Sequence, residues 1–236
     1  MTSHGGVKRS DGSASGRRWE RIGIIAGVMA MVAMVGGCAA MFKPPPPSSL
    51  YQLQYSPQPA ECQSSFPASV RVLPLEAPPP YDQESLVVLA DGARVRFSSQ
   101  YSWVAPPGKM VADWLLRDLS QTQLFSSVMT SGESFANSYD LGGHLFTFAW
   151  QRRQDRWQAV LDAEISLVEN RSGQSRQILL RKSYHLVSES VAEHDPEAFA
   201  RAMSKVVGAL STALQQDLCA LAGNLRGSFG GVAAKP

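Results

Sequence analysis

The side chains best suited to covalent chemistry in this sequence are three thiols, Cys38, Cys62 and Cys219. No two of them form a Cys-x-x-Cys, the spacing that activates a thiol for redox exchange, so a redox centre is disfavoured. Beyond the first 37 residues the histidines are His144, His185 and His194, and no pair lies three or four residues apart as a helical zinc site requires. No metal site is expected. Serines are abundant, yet no Gly-x-Ser-x-Gly elbow presents one to a base, and no glycine-rich loop with a lysine precedes a helix to cradle phosphate. The chain is therefore read as a non-enzyme with no catalytic residue and no cofactor. Trp103, Trp114, Trp150 and Trp157 suit cores, protein interfaces and acyl-chain grooves alike, core packing being the commonest use. Arg152, Arg153 and Arg156 cluster in one turn, where they can meet lipid headgroups, an acidic partner or only solvent.

Cys38 differs from the other thiols in what precedes it. Residues 1–21 carry Lys8, Arg9, Arg17, Arg18 and Arg21 against Asp11 and Glu20, whereas Ile22 to Phe42 carry no charge. A basic head before an apolar run is the layout of an export leader. At its end, Val35-Gly36-Gly37-Cys38 resembles the lipobox of bacterial lipoproteins. That resemblance implies a diacylglyceryl group on the Cys38 thiol and cleavage just ahead of it, so that residues 1–37 leave as a signal peptide. Small residues suit an extended backbone in a narrow peptidase cleft. Each buried methylene then contributes about 0.8 kcal/mol, and two or three chains hold a protein durably on a bilayer. The competing reading is an uncleaved transmembrane helix, since the Ile22–Phe42 run would span about 30 Å at about 1.5 Å per residue. Gly36-Gly37 is a poor centre for such a helix. Arg17-Arg18 also invites a twin-arginine export reading, although the consensus around the pair is absent.

In lipoproteins of this kind an aspartate after the cysteine favours inner-membrane retention, and here Ala39 follows. Outer-membrane anchoring facing the periplasm is expected, with the inner membrane as the alternative. Residues 38–49 read as a lipidated tether, because Pro44 to Pro47 favour a semi-rigid polyproline spacer of about 3.1 Å per residue. With Cys38 acylated, Cys62 and Cys219 remain as an even pair in an oxidising compartment, which makes them a disulfide candidate. Closing so long a loop stabilises a fold by on the order of 4–5 kcal/mol in the chain-entropy model. Two separate thiols are the alternative.

The net charge of +2 belongs to the leader: loss of residues 1–37 removes five of the 22 basic and two of the 20 acidic residues and leaves −1. Such a chain lacks the field that draws nucleic acid. An apolar content of 44% supports one core, so the body from residue 50 to 223 is read as a single domain.

Its elements follow from pattern. Leu50–Tyr55 and Ser69–Leu75 alternate as short strands. Leu86–Ala90 and Ala93–Ser98 flank Asp91-Gly92, a dipeptide suited to a tight hairpin turn. Val111, Trp114, Leu115 and Leu119 share one face of a helix over Gly108–Gln121, with Asp113 and Arg117 as an i,i+4 pair. In Trp157–Leu167 every odd position is apolar and four of the five even ones are polar, the habit of an antiparallel strand with one wet face. Tyr139–Trp150 before it and Ser175–Val187 after it complete a meander. Asp195-Pro196 caps a second helix whose stripe runs Phe199, Met203, Val206, Leu210, Leu214, Leu218, Leu221, with Gly223 as its stop and 224–236 as a flexible tail. The fold class is α+β: a largely antiparallel sheet packed against two main helices.

The order of these pieces, with Tyr51-x-Leu53, Val70-x-Val72, Tyr81-Asp82, Leu86–Leu89, Tyr101-x-Trp103, Pro106-Pro107 and a helix ending in Leu124-Phe125, resembles the ABC-type transport auxiliary lipoprotein family. Ser102 stands where a basic residue often precedes the tryptophan, and no arginine follows Leu86–Leu89. The resemblance implies a membrane-anchored auxiliary lipoprotein working with ABC transporter components and an Mce-type substrate-binding protein in lipid transport between membranes, with phospholipid as a candidate ligand. Only Cys38 carries over as a residue with a defined chemical role. Two other classes stay open: an outer-membrane scaffolding lipoprotein unrelated to transport, and an esterase.

Overall fold

The strand with the cleanest alternation lies in the middle of the three longest strands, and the rest of the sheet is built outward from them. The structure, a computed structural model, describes residues 49–90, 94–133, 137–170 and 175–230. In chain order the elements are β1 (Ser49–Tyr51), β2 (Val70–Val72), β3 (Ser85–Leu89), β4 (Val95–Trp103), α1 (Pro107–Ser120), β5 (Val128–Thr130), β6 (Tyr139–Arg153), β7 (Arg156–Glu169), β8 (Gln177–Val187) and α2 (Pro196–Gly230). All belong to one compact unit.

The 15-residue strand β6 is the spine. One edge pairs along its whole length with β7 in antiparallel register, and β7 pairs antiparallel with β8. The other edge is shared: Tyr139–Leu141 pair with β2, and Trp150 and Gln151 with β3, both parallel. Beyond them β5 joins β2, and β4 and β1 extend from β3, giving eight strands. The α+β class is as read from sequence. The long ladders are antiparallel and the short ones parallel, because segments too short to alternate visibly return to the sheet across loops.

A bulge decides which side chains β6 buries. The register shifts between Leu145 and Thr147, leaving Phe146 as the extra residue, 52% exposed. Before the bulge Tyr139, Leu141 and Leu145 point to the core; after it the phase flips and Phe148 and Trp150 do. On this face α2 packs over β7 and β8, and α1 over β2, β5 and β6. Trp103 and Phe199 meet Phe148 and Trp150 between the layers. The opposite face is wet and carries ion pairs between β7 and β8, Glu164 with Arg181 and Asp162 with His185.

Several boundaries differ from the sequence reading. The first strand ends at Tyr51, because the chain then leaves the sheet to cross the helices, and the second is only Val70–Val72. β4 runs on to Trp103, and β5 carried no alternation long enough to notice. Asp91-Gly92 and residues 171–173 lie outside the described residues; β3 and β4 nevertheless pair antiparallel, with Leu89 opposite Val95. Asp113 pairs with Lys109 rather than Arg117, whose guanidinium is taken by Asp118. Finally, α2 continues through Gly223 to Gly230, so residues 224–230 are helical rather than part of a flexible tail. A single glycine costs a helix only about 1 kcal/mol relative to alanine, too little to stop one anchored along the core.

Candidate functional site

The most elaborate polar construction in the fold is a strap that leaves β1 and crosses both helices. Leu53 is buried beneath it, and its backbone is held by side chains of α2: Gln54 N–H donates to Ser204 Oγ at 2.9 Å and Ala60 N–H to Gln215 Oε1 at 2.8 Å. Between these points the Tyr55 ring stacks on Trp114 of α1, with centroids 4.6 Å apart. Its hydroxyl donates to Asp118 Oδ2 at 2.7 Å. A segment without strand or helix partners satisfies its backbone groups in this way, through polar side chains that stand where a core helix would ordinarily be apolar.

Asp118 is the hub, at 1% exposure. It accepts from Tyr55, from Ser211 Oγ at 2.6 Å, and from Arg117 through Nε at 2.8 Å and Nη2 at 2.5 Å. Arg117 also lies 3.6 Å over the Trp114 ring and donates to the Tyr55 carbonyl at 3.2 Å. Burial, and then the Asp118 carboxylate it touches, push the Tyr55 phenol well above its ordinary pKa, and the nearby guanidinium only partly opposes this. Both hydroxyls in the cluster donate toward a carboxylate already held by a guanidinium. Activating a nucleophile requires the reverse, a free base withdrawing a proton, so the arrangement supports docking of the strap rather than acyl transfer.

The residues singled out from sequence are dispersed. Cys38 lies outside the described residues. Cys62 on the strap and Cys219 on α2 are brought together, their Cα atoms 5.3 Å apart and within the span of a disulfide. His144 stands 3.5 Å from Glu76, His185 pairs with Asp162, and His194 sits in the loop before α2 near Glu193. Among the described residues no three metal-ligating side chains converge. Trp103 is a core residue; Trp150 and Trp157 pack edge to face at the hairpin end of β6 and β7. Arg153 and Arg156 are exposed in that hairpin, and Arg152 pairs with Asp155. The Asp118 hub was not singled out. Its signal was present, because Asp118 lies seven residues after Val111 on the same helical stripe, and Ser211 follows Ser204 on α2 by the same interval.

Several recesses open beside the helices, one of about 390 Å³ between the strap and α2 next to Asp118. Another, of about 480 Å³, lies between the β8–α2 link and the first turns of α2, where Arg201 is held by Glu197. A third, of about 340 Å³, lies at the hairpin end beside Trp150 and Trp157. No described helix is long and apolar enough to cross a membrane.

Comparison with known proteins places this architecture. The family described as ABC-type transport auxiliary lipoprotein component matches residues 51–215, which include both helical anchors of the strap. Among solved structures, the crystal structure of a Xanthomonas campestris protein of the DUF330 family aligns with a TM-score of 0.67 at 14% identity, covering 77% of this chain and 99% of that one. A second, an uncharacterized protein, aligns with a TM-score of 0.55 at 15% identity, covering 73% and 99%. At such identity the likeness is one of fold. No curated protein sequence matches the chain.

Proposed function

The chain belongs to the ABC-type transport auxiliary lipoprotein family, and from that premise we propose that it is a non-enzymatic, lipid-anchored accessory of an Mce-type transport system that moves lipid between the two membranes of the envelope. The observation that carries the reading is the extent of the match, residues 51–215, which takes in every strand from β2 to β8, α1 and most of α2. In this reading Cys38 bears the acyl anchor, residues 1–37 are removed, and the proline-rich tether lifts the domain off the outer membrane into the periplasm. The tether feeds directly into β1 and the strap, so a pull on the anchor is borne by Asp118, Ser204, Gln215 and the Cys62–Cys219 pair, which we take to be disulfide-bonded. The domain offers the transporter's Mce-type component and ABC subunits a docking body, and phospholipid is its candidate ligand.

Affinity purification of the tagged, lipidated protein from membranes, with mass spectrometry of proteins and lipids, tests the reading. Recovery of an Mce-domain protein with a permease and an ATPase is expected. Recovery of outer-membrane assembly proteins in their place would establish the scaffolding alternative and overturn the transport role. Cys38→Ser is expected to abolish metabolic palmitate labelling and to mislocalise the protein; persistent labelling would move the anchor elsewhere.

A further inference from the structure

We propose that the hairpin end of the sheet, on the face turned away from the helices, docks on the anionic phospholipid headgroups of a bilayer, so that this end of the domain is the one that meets the membrane. The inference deepens the reading given above and rests on its Cys38 anchor for the choice of partner. Two hairpins close side by side at this end, because Leu89 of β3 lies opposite both Val95 of β4 and Gln151 of β6. Directly opposed residues on neighbouring strands share a face, as do residues two apart along one strand. Val95, Phe97, Gln151, Gln158, Arg153 and Arg156 therefore stand on one face. Trp150, which stacks on Phe199 of α2, belongs to the other. The turn between β6 and β7 is a tight two-residue one, with Gln154 and Asp155 at φ 49° and 60°.

Arg153 and Arg156 face each other directly across β6 and β7. Like charges so placed repel, and neither guanidinium forms an ion pair with another described residue. Asp155, in the turn between them, is held by Arg152, while Glu193 lines the recess beside Trp150 and Glu189 the one beside α2. The two arginines enclose a shallow cleft of about 270 Å³ completed by Gln154 and Gln158, with no acidic side chain in its lining. A phosphate diester suits it, since guanidiniums grip phosphate through paired N–H donors. Two apolar side chains that the fold leaves in water share this face, Val95 at 42% and Phe97 at 50% exposure. A headgroup layer offers phosphate at its surface and hydrocarbon just beneath, and so answers both. Position then selects a bilayer over an acidic protein. β1 runs parallel to β4 with Ser49 opposite Tyr101, so its N-terminal end points toward the hairpins. From Tyr101 back to Val95 is six residues, about 20 Å at about 3.3 Å each. Ten residues separate Cys38 from Ser49 and span up to about 35 Å when extended. The anchor therefore reaches past the hairpins, and the tether limits the distance to the bilayer without fixing it.

The test uses the mature chain without its acyl group, released by a leader cleaved ahead of Ala39, so that binding reports the surface and not the anchor. Co-sedimentation is measured with vesicles of phosphatidylcholine alone and with vesicles of phosphatidylcholine and phosphatidylglycerol in equal parts. The anionic vesicles are expected to bind about tenfold more strongly or better, and high salt to abolish the difference. Arg153→Gln/Arg156→Gln is expected to lower that binding about tenfold or more at an unchanged melting temperature, since each basic side chain at an anionic surface is worth about fivefold. Arg153→Lys/Arg156→Lys keeps the charge and is expected to keep most of the binding. Lys109→Gln/Arg181→Gln removes as much charge away from the hairpins and is expected to change binding less than about twofold. Equal binding to both vesicles, or equal loss in both glutamine variants, overturns the proposal. So does competition by millimolar inorganic phosphate at constant ionic strength, which would make the cleft a free-anion site. Absence of vesicle binding overturns it too and leaves the arginines to an acidic protein. Failure here leaves palmitate labelling and transporter capture untouched, and their failure leaves the sedimentation result standing, so the two readings are separable.

Discussion

At the scale of single residues, the strap is held to the helices by a few polar atoms that the core has enclosed. Removing a carboxylate from a buried pair leaves its cation and donors uncompensated, which typically costs 3–5 kcal/mol. Asp118→Ala strands Tyr55 and Ser211, although Arg117 retains partial access to water. A loss of about 3 kcal/mol is therefore expected in urea unfolding, against about 1 kcal/mol for Tyr55→Phe. A loss below 1 kcal/mol for the alanine variant would show that the hub is not the strap's anchor. Tyr55 and Tyr184 also set an alkaline limit. Burial first, and then hydrogen bonds to Asp118 and Asp217, raise both phenols above their ordinary value of 10.0. As pH rises through that value the unfolded chain releases these protons while the folded chain keeps them, so stability is fully present below it and falls above it. Urea midpoints followed from about pH 8 to 11 should decline at the alkaline end, and Tyr55→Phe with Tyr184→Phe should flatten the decline; identical curves would refute the assignment. None of this chemistry was visible as a motif. It was visible only as polar residues standing on helical stripes otherwise apolar, a pattern easily passed over when function is sought among cysteines, histidines and serines.

Elements were legible in proportion to their periodicity. β7 alternates through Leu167 with a single interruption at Val160, and both helices carry long apolar stripes, so their existence and facing could be read directly. β6 could be placed, but its phase flip at Phe146 could not, because a bulge is a matter of pairing with β7 rather than of composition. The three-residue strands β1, β2 and β5 are held by neighbours far away in sequence, and nothing local distinguishes them from loop. Glycine shows the same contrast. At Gly143, φ is 155° and an added Cβ would stand 1.9 Å from the Glu164 carbonyl oxygen, so backbone on both strands would have to move. Gly223 has open space around it on a helix. Gly143→Ala is expected to lose about 3 kcal/mol or more, and Gly223→Ala to gain up to about 1 kcal/mol. Both can be read as melting-temperature shifts of opposite sign, and a shared sign would mean that α2 does not persist past residue 223.

For the whole molecule, the question is what would resist a load applied through the N-terminus under the anchoring proposed above. Cys62 lies on the strap and Cys219 in α2, 157 residues apart, so a bond between them encloses almost the entire domain in one covalent loop. Chain-entropy reasoning assigns such a loop about 5 kcal/mol of stabilisation, acting on the unfolded chain, where it removes the most freedom. The bond would also keep the strap on α2 while other contacts fluctuate, since it needs no hydrogen bond to survive. Reductant is therefore expected to lower the urea midpoint of the wild-type chain and to leave a Cys62→Ser/Cys219→Ser double variant unmoved at the lower value. A single Cys62→Ala change should match the double variant, because an unpartnered Cys219 thiol contributes no loop. If reductant has no effect on the wild type while free-thiol titration finds both sulfurs reactive after unfolding, the pair is unbonded. The strap would then depend on Asp118, Ser204 and Gln215 alone.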